Sequence, residues 1–187
     1  MRNATITGKT TTSGQGNGDI GASALELAWS LGKSDEAERK PTQKFKEYFD
    51  TFYKNFKLEE HQELHFELGR SVVGQCGSLI SRVLYIKHGT TKNFAIIDAG
   101  FTELIRPALY QAHHVITPLT TYSNDEVTKF DVVGPICESS DCFGEDELLP
   151  KELGRGDFVA IRSAGAYGEI MASQYNCRRL PESIYKY

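Results

Sequence analysis

Beyond Gly69 the chain is cut into short apolar runs by Gly, Asp and Pro, and this punctuation leaves a sheet as the simplest way to bury them. Residues 75–87 (QCGSLISRVLYIK) contain one strand and residues 93–98 (NFAIID) another. Residues 130–136, 157–162 and 168–175 read as further strands. Residues 102–112 (TELIRPALYQA) read as a short helix or helical turn broken by Pro107. Strands this closely spaced, with few long helical patterns, predict a β-sandwich or small barrel.

The front of the chain has a different texture. Residues 1–19 are rich in Gly, Thr, Ser and Asn and are expected to be disordered or poorly packed. Gly8-Lys9-Thr10 resembles the end of a phosphate-binding loop, but Asn3 stands where that loop needs a glycine, so a polar tail is the simpler reading. Residues 22–31 (ASALELAWSL) can form a short amphipathic helix. Pro41 then opens a second helix, in which Phe45, Phe49, Phe52, Tyr53 and Phe56 form a core-facing aromatic stripe. Residues 64–67 are a short strand ending at Gly69.

Charge and cysteine usage narrow the function classes. The net charge of −4 disfavours nucleic acid and anionic membrane, which need a basic face. No apolar run approaches the ~20 residues of a membrane helix. The N-terminus lacks the apolar core of a secretory signal. A cytoplasmic protein with its four cysteines reduced is therefore expected, and their scatter offers no zinc site.

Four short motifs carry possible chemistry. In Glu67-Leu68-Gly69-Arg70 the glycine lets a backbone N–H approach an anion and the arginine can grip it in a fork, although a surface arginine after a turn is the usual explanation. Arg106 and Tyr110 are four apart, so one helical turn offers a guanidinium and a phenol to the same carboxylate, or simply faces solvent. At Cys137-Glu138-Ser139-Ser140-Asp141 an apolar strand runs into a thiol and carboxylates, which can pair a proton donor with a cation-binding group or form a polar turn. In Ser163-Ala164-Gly165-Ala166-Tyr167-Gly168 small residues leave one phenol clear of the backbone, to meet a phosphate or ring or to sit in a tight turn.

Each motif is weak alone, but their order is specific. The series ELGRS, RVLYIK, DAGFTELIRPALYQAHH, DVVGPICESSDCFG and RSAGAYGEIMASQYNCRRLP resembles the diaminopimelate decarboxylases, a family of fold-type III pyridoxal-phosphate enzymes, over residues 66–181. The related ornithine and arginine decarboxylases share the outline, while CESSD and LIRPALY fit the diaminopimelate branch better. The resemblance implies a mainly β chain with some α. Residues 71–187 would be a C-terminal β-sandwich or Greek-key barrel of the alanine racemase-like decarboxylase type. Residues 41–70 would be a remnant of the last β/α unit of a TIM barrel, and residues 1–40 an unrelated or disordered polar segment.

The resemblance also implies roles. The activity would be conversion of meso-2,6-diaminopimelate to L-lysine and carbon dioxide, with pyridoxal 5'-phosphate as cofactor. Glu67, Gly69, Arg70 and Tyr167 would lie against the cofactor. Arg70, Arg106 and Tyr110 would hold substrate carboxylate, Glu138 a substrate ammonium, and Tyr167 would also face the substrate. Cys137 would donate the proton. The site would be shared across a homodimer, or with a barrel-containing subunit.

Two departures qualify this. Leu68 stands where the family motif usually has proline, and the early barrel lysine that holds the cofactor has no counterpart here. The chain is therefore expected to be inactive alone. A non-catalytic, dimerising β-domain and a decarboxylase for another basic amino acid are the alternatives.

Overall fold

The structure, a computed structural model, describes residues 3–8 and 45–185. The chain divides into two compact units, Met1–Val72 and Val73–Tyr187.

In the first unit, helix α1 (Phe45–Asn55) precedes strand β2 (Gln62–Glu67). Phe66 meets the rings of Phe49, Phe52 and Tyr48 at 5.0, 5.3 and 6.2 Å, largely edge to face. Phe52 is buried, whereas Tyr53 is 63% exposed. The aromatic stripe is thus partly corrected: Tyr48 joins the cluster and Tyr53 faces water. The expected N-terminal tail is also partly ordered. Strand β1 (Asn3–Gly8) pairs antiparallel with β2, from Asn3↔Glu67 to Gly8↔Gln62. The β-branched run Thr5-Ile6-Thr7 favours this extended form. The helix expected at residues 22–31 lies outside the described residues.

After the short helix α2 (Arg70–Val73), the second unit is a six-stranded, nearly closed sheet. Its strands are β3 (Leu79–His88), β4 (Asn93–Ile97), β5 (Ile116–Pro118), β6 (Val127–Val133), β7 (Cys142–Pro150) and β8 (Phe158–Ile161). The order is β5-β8-β3-β4-β6-β7. The β4–β6 pair is parallel and the other pairs antiparallel. The edge strands β5 and β7 approach each other, bending the sheet toward a barrel. Inside it pack Val83, Ile97, Phe130, Val132, Leu149, Val159 and Ile161, each at most 1% exposed. No described helix is long and apolar enough to cross a membrane.

Several local expectations change. Pro107 does not break a helix but sits in the first turn of α3 (Arg106–Tyr110), where its missing N–H has no intrahelical partner to lose. Residues 168–175 form turns rather than a strand. Tyr167 enters them in the left-handed region (φ 67°), and the Met171 N–H bonds back to the Tyr167 carbonyl at 3.1 Å. Strands β5 and β7 were not foreseen.

Candidate functional site

Helix α3 is set by the turn before it. The N–H groups of Glu103 and Leu104 both donate to the Gly100 carbonyl, at 3.0 and 3.2 Å. Gln111 ends the helix in the left-handed conformation, donating to the Pro107 carbonyl at 2.9 Å. This short helix holds Arg106 buried, with its guanidinium carbon 5.7 Å from the Tyr110 ring centroid and 6.0 Å from that of Tyr167. The i,i+4 pairing expected from sequence is present, and Tyr167 joins Arg106 from a distant part of the chain. A guanidinium held by two phenol rings is pre-oriented for a planar anion such as a carboxylate.

Tyr167 is delivered by a loop fastened main chain to main chain. Ala164 and Gly165 donate to the carbonyls of Gly77 and Gly74, each at 2.9 Å. A Cβ on Gly77 would lie 2.6 Å from the Gly165 Cα, so neither glycine can carry a side chain without displacing the loop.

The Cys137 loop rises from the end of β6. Gly134 donates to the Asp141 carbonyl at 2.9 Å, closing the loop at its neck, and Cys137 and Glu138 stand exposed at its tip. Beneath them the Asp141 side chain is 4% exposed. Its carboxylate accepts the N–H of Phe101 at 2.6 Å and that of Ile136 at 2.7 Å. Burial pushes this carboxyl above its ordinary range, and the two N–H bonds offset only part of that. The adjoining Cys142 thiol is likewise raised by burial. Asp141 therefore joins the Cys137 loop to the turn that leads into α3.

A second buried carboxylate stabilises that turn. Glu103 accepts from the Gly100 N–H at 2.7 Å and the Thr102 hydroxyl at 2.8 Å. Arg178 reaches Glu103 at 3.1 Å and the Asp98 carbonyl at 2.6 Å. Tyr175 donates its hydroxyl to Glu138 at 2.7 Å, and the negative charge and hydrogen bond there raise the phenol above its usual range. In the sequence Asp141 shows only as part of the Cys137 motif, and Glu103, Arg178 and Tyr175 do not stand out as site residues. Gly100 and Gly134 were the available signal, since a Cβ on either would crowd the Asp141 carboxylate.

The remaining sequence candidates lie in the first unit. Glu67 ends β2, Gly69 takes a positive φ of 47°, and Arg70 begins α2 half-buried. The Leu68 carbonyl accepts both the N–H and the hydroxyl of Ser71, at 3.1 and 2.7 Å, so the turn closes with leucine at that position. His114, part of the His113-His114 pair, is buried with its ring nitrogen 2.8 Å from the Arg162 carbonyl, a structural contact.

Comparison with known proteins identifies the family. Residues 71–165 match the family described as pyridoxal-dependent decarboxylase, C-terminal sheet domain. The chain is 64% identical over 138 residues to the diaminopimelate decarboxylase of Bacteroides thetaiotaomicron, covering 74% of this chain and 35% of that protein. It is 44% identical over 158 residues to that of Vibrio cholerae, covering 82% and 36%. The crystal structure of Helicobacter pylori diaminopimelate decarboxylase complexed with L-lysine superposes with a TM-score of 0.55 at 50% identity, covering 60% of this chain and 27% of that one. The chain thus spans about a third of the length of these two curated relatives.

Proposed function

The chain belongs to the pyridoxal-dependent decarboxylases, and from that membership we propose that it serves the decarboxylation of meso-diaminopimelate to L-lysine, as the sheet domain of a site completed by a cofactor-bearing barrel. The observation that carries the reading is Arg106, buried against the rings of Tyr110 and Tyr167. A second amino-acid carboxylate on the substrate is the planar anion that a guanidinium set between two phenol rings suits. A monocarboxylate such as ornithine would leave that pairing without a purpose.

The side chains present fit the outer edge of bound pyridoxal phosphate and its substrate: an arginine, two phenols, a thiol and a carboxylate. When bound, the cofactor supplies a pyridine ring that accepts the electron pair left by departing carbon dioxide. Arg106 and Tyr110 hold the distal carboxylate and Glu138 the distal ammonium, which orients one end of the substrate for reaction. Cys137 would be the residue that holds the proton to be delivered to the carbon that loses carbon dioxide. Tyr167, Glu67, Gly69 and Arg70 are the residues that would help hold the cofactor. We read residues 41–70 as the end of the barrel.

The exposed tip of the Cys137 loop suits entry into the site of a neighbouring subunit, so the working form is a dimer or a pairing with a barrel-carrying chain, in the cytoplasm. The test pairs this chain with the barrel half of the Bacteroides thetaiotaomicron relative, loaded with cofactor, and measures lysine and carbon dioxide from meso-diaminopimelate. Turnover is expected, and Arg106→Ala should raise KM by at least about tenfold. Decarboxylation of ornithine or arginine in preference to diaminopimelate would overturn the substrate assignment.

A further inference from the structure

The loop that carries Cys137 and Glu138 is fixed in its main chain. The Glu138 N–H donates to the Ile136 carbonyl at 2.8 Å, and the Glu138 carbonyl accepts the Asp141 N–H at 3.1 Å. The Glu138 side chain is exposed, and an exposed glutamate samples several rotamers unless something holds it. The Tyr175 hydroxyl holds it, donating to Oε1 at 2.7 Å. Oε2 is the oxygen this bond leaves for a ligand.

Tyr175 is itself fastened on three sides. Its ring packs on Phe101, with centroids 5.5 Å apart, and the Phe101 N–H donates to Asp141 at the base of the loop. Before it, the Ser173 N–H donates to the Thr102 carbonyl at 2.8 Å. After it, Asn176 and Cys177 both take the left-handed conformation, at φ 54° and 57°, which two consecutive non-glycine residues keep only where their surroundings impose it. Arg178 supplies that constraint, bonding the Thr102 hydroxyl and Glu103 at 3.1 Å each and the Asp98 carbonyl at 2.6 Å. Even so, Tyr175 is 46% exposed. A side chain fastened this way, on the surface beside the loop tip, goes wherever that tip goes.

We propose that Tyr175 is a positioning residue of the site that Cys137 and Glu138 enter: it anchors the Glu138 carboxylate to receive a substrate ammonium, and it does so in the neighbouring subunit's site, apart from the Arg106 of its own chain. The inference rests on the reading of the Cys137 loop as an element given to a neighbouring subunit, with Glu138 as the ammonium holder. Tyr175 acts through Glu138 and not on the substrate itself.

The test is Tyr175→Phe in the full chain, which keeps the ring on Phe101 and removes only the hydroxyl. Paired with the barrel half, it should raise KM for meso-diaminopimelate about fivefold and leave kcat within about twofold, the size expected of one hydrogen bond. A merely structural residue would lower kcat and thermal stability without that split. Co-assembly with Arg106→Ala then assigns the site. If Tyr175 serves the neighbour, a mixed dimer holds one site in which both residues are intact. The kcat/KM of an equimolar mixture should then be about twice the mean of the two variants assembled separately. An unchanged KM, a loss confined to kcat, or a mixture that matches that mean overturns the proposal. If the unsubstituted pair does not turn over diaminopimelate, the substrate reading fails and the chain alone decides. Alkylation by iodoacetamide, followed by peptide mass mapping, should then quicken at Cys137 by at least about twofold relative to Cys76 as the loop tip loosens. That result supports Tyr175 as the anchor of Glu138, and an unchanged ratio overturns it.

Discussion

Two buried aspartates near the ends of β6 meet the same electrostatic problem in different ways. Asp131, within β6, is answered by a cation: Lys92 lies 2.7 Å away and also reaches Glu145 at 3.1 Å, with the Asp146 N–H completing the set at 2.9 Å. Asp141, beyond the strand's C-terminal end, is answered chiefly by the backbone N–H groups of Phe101 and Ile136. Burial raises both carboxyls. At Asp131 the lysine and the N–H more than reverse it, leaving the group below its ordinary range, while at Asp141 the net shift is upward. A lysine can follow a carboxylate as the surroundings move. Two backbone amides from separate loops cannot, so Asp141 fixes the shape of the loop above it. The contrast separates a strut on the sheet from a former of the site.

The largest expected effect comes from removing the cation on the site side. Arg178→Ala would leave Glu103 buried without its partner and should cost about 3 kcal/mol in urea unfolding, the low end for a broken buried pair because the arginine is partly exposed. A loss under about 1 kcal/mol would mean that Gly100 and Thr102 suffice to hold Glu103. Next is Asp141→Asn, whose amide can accept only one of the two N–H groups. It should cost about 2 kcal/mol and speed Cys137 alkylation. The smallest effect is a difference in pH sign. Asp131, held low in the fold, contributes stability above its ordinary value of 3.8 that is lost as pH falls through the lowered value. Asp141, held high, favours its protonated form in the fold, so its contribution is fully present below 3.8 and declines as pH rises through the raised value. Unfolding curves of the parent, Asp131→Asn and Asp141→Asn from about pH 3 to about pH 7 should therefore show the parent's advantage shrinking on acidification over the first variant and growing over the second. Parallel trends would erase the distinction.

What the sequence displayed follows the range of the forces involved. Strands β3, β4 and β8 announce themselves through β-branched runs bounded by turn residues. Arg106 and Tyr110 lie one helical turn apart, so their pairing could be read locally. Strand β7 hides because Gly144, Glu145 and Asp146 interrupt it, with Asp146 at φ 56° and the pairing with β6 shifting register nearby. The polar network beneath the site hides for another reason. Asp141 finds Phe101 across 40 residues, Glu138 finds Tyr175 across 37, and Glu103 finds Arg178 across 75. No local pattern encodes such partners, and each acid on its own reads as a polar turn residue.

The glycine-to-glycine seam between residues 77 and 165 has a further consequence. A side-chain contact can absorb displacement by changing rotamer, but this seam has no rotamer to change. Motion of the segment entering β3 is passed to the Tyr167 loop as through a pinned joint. Engineering that seeks to reposition that phenol has little to gain at the seam itself. It must reshape the residues between the pin and the ring, or move the strand.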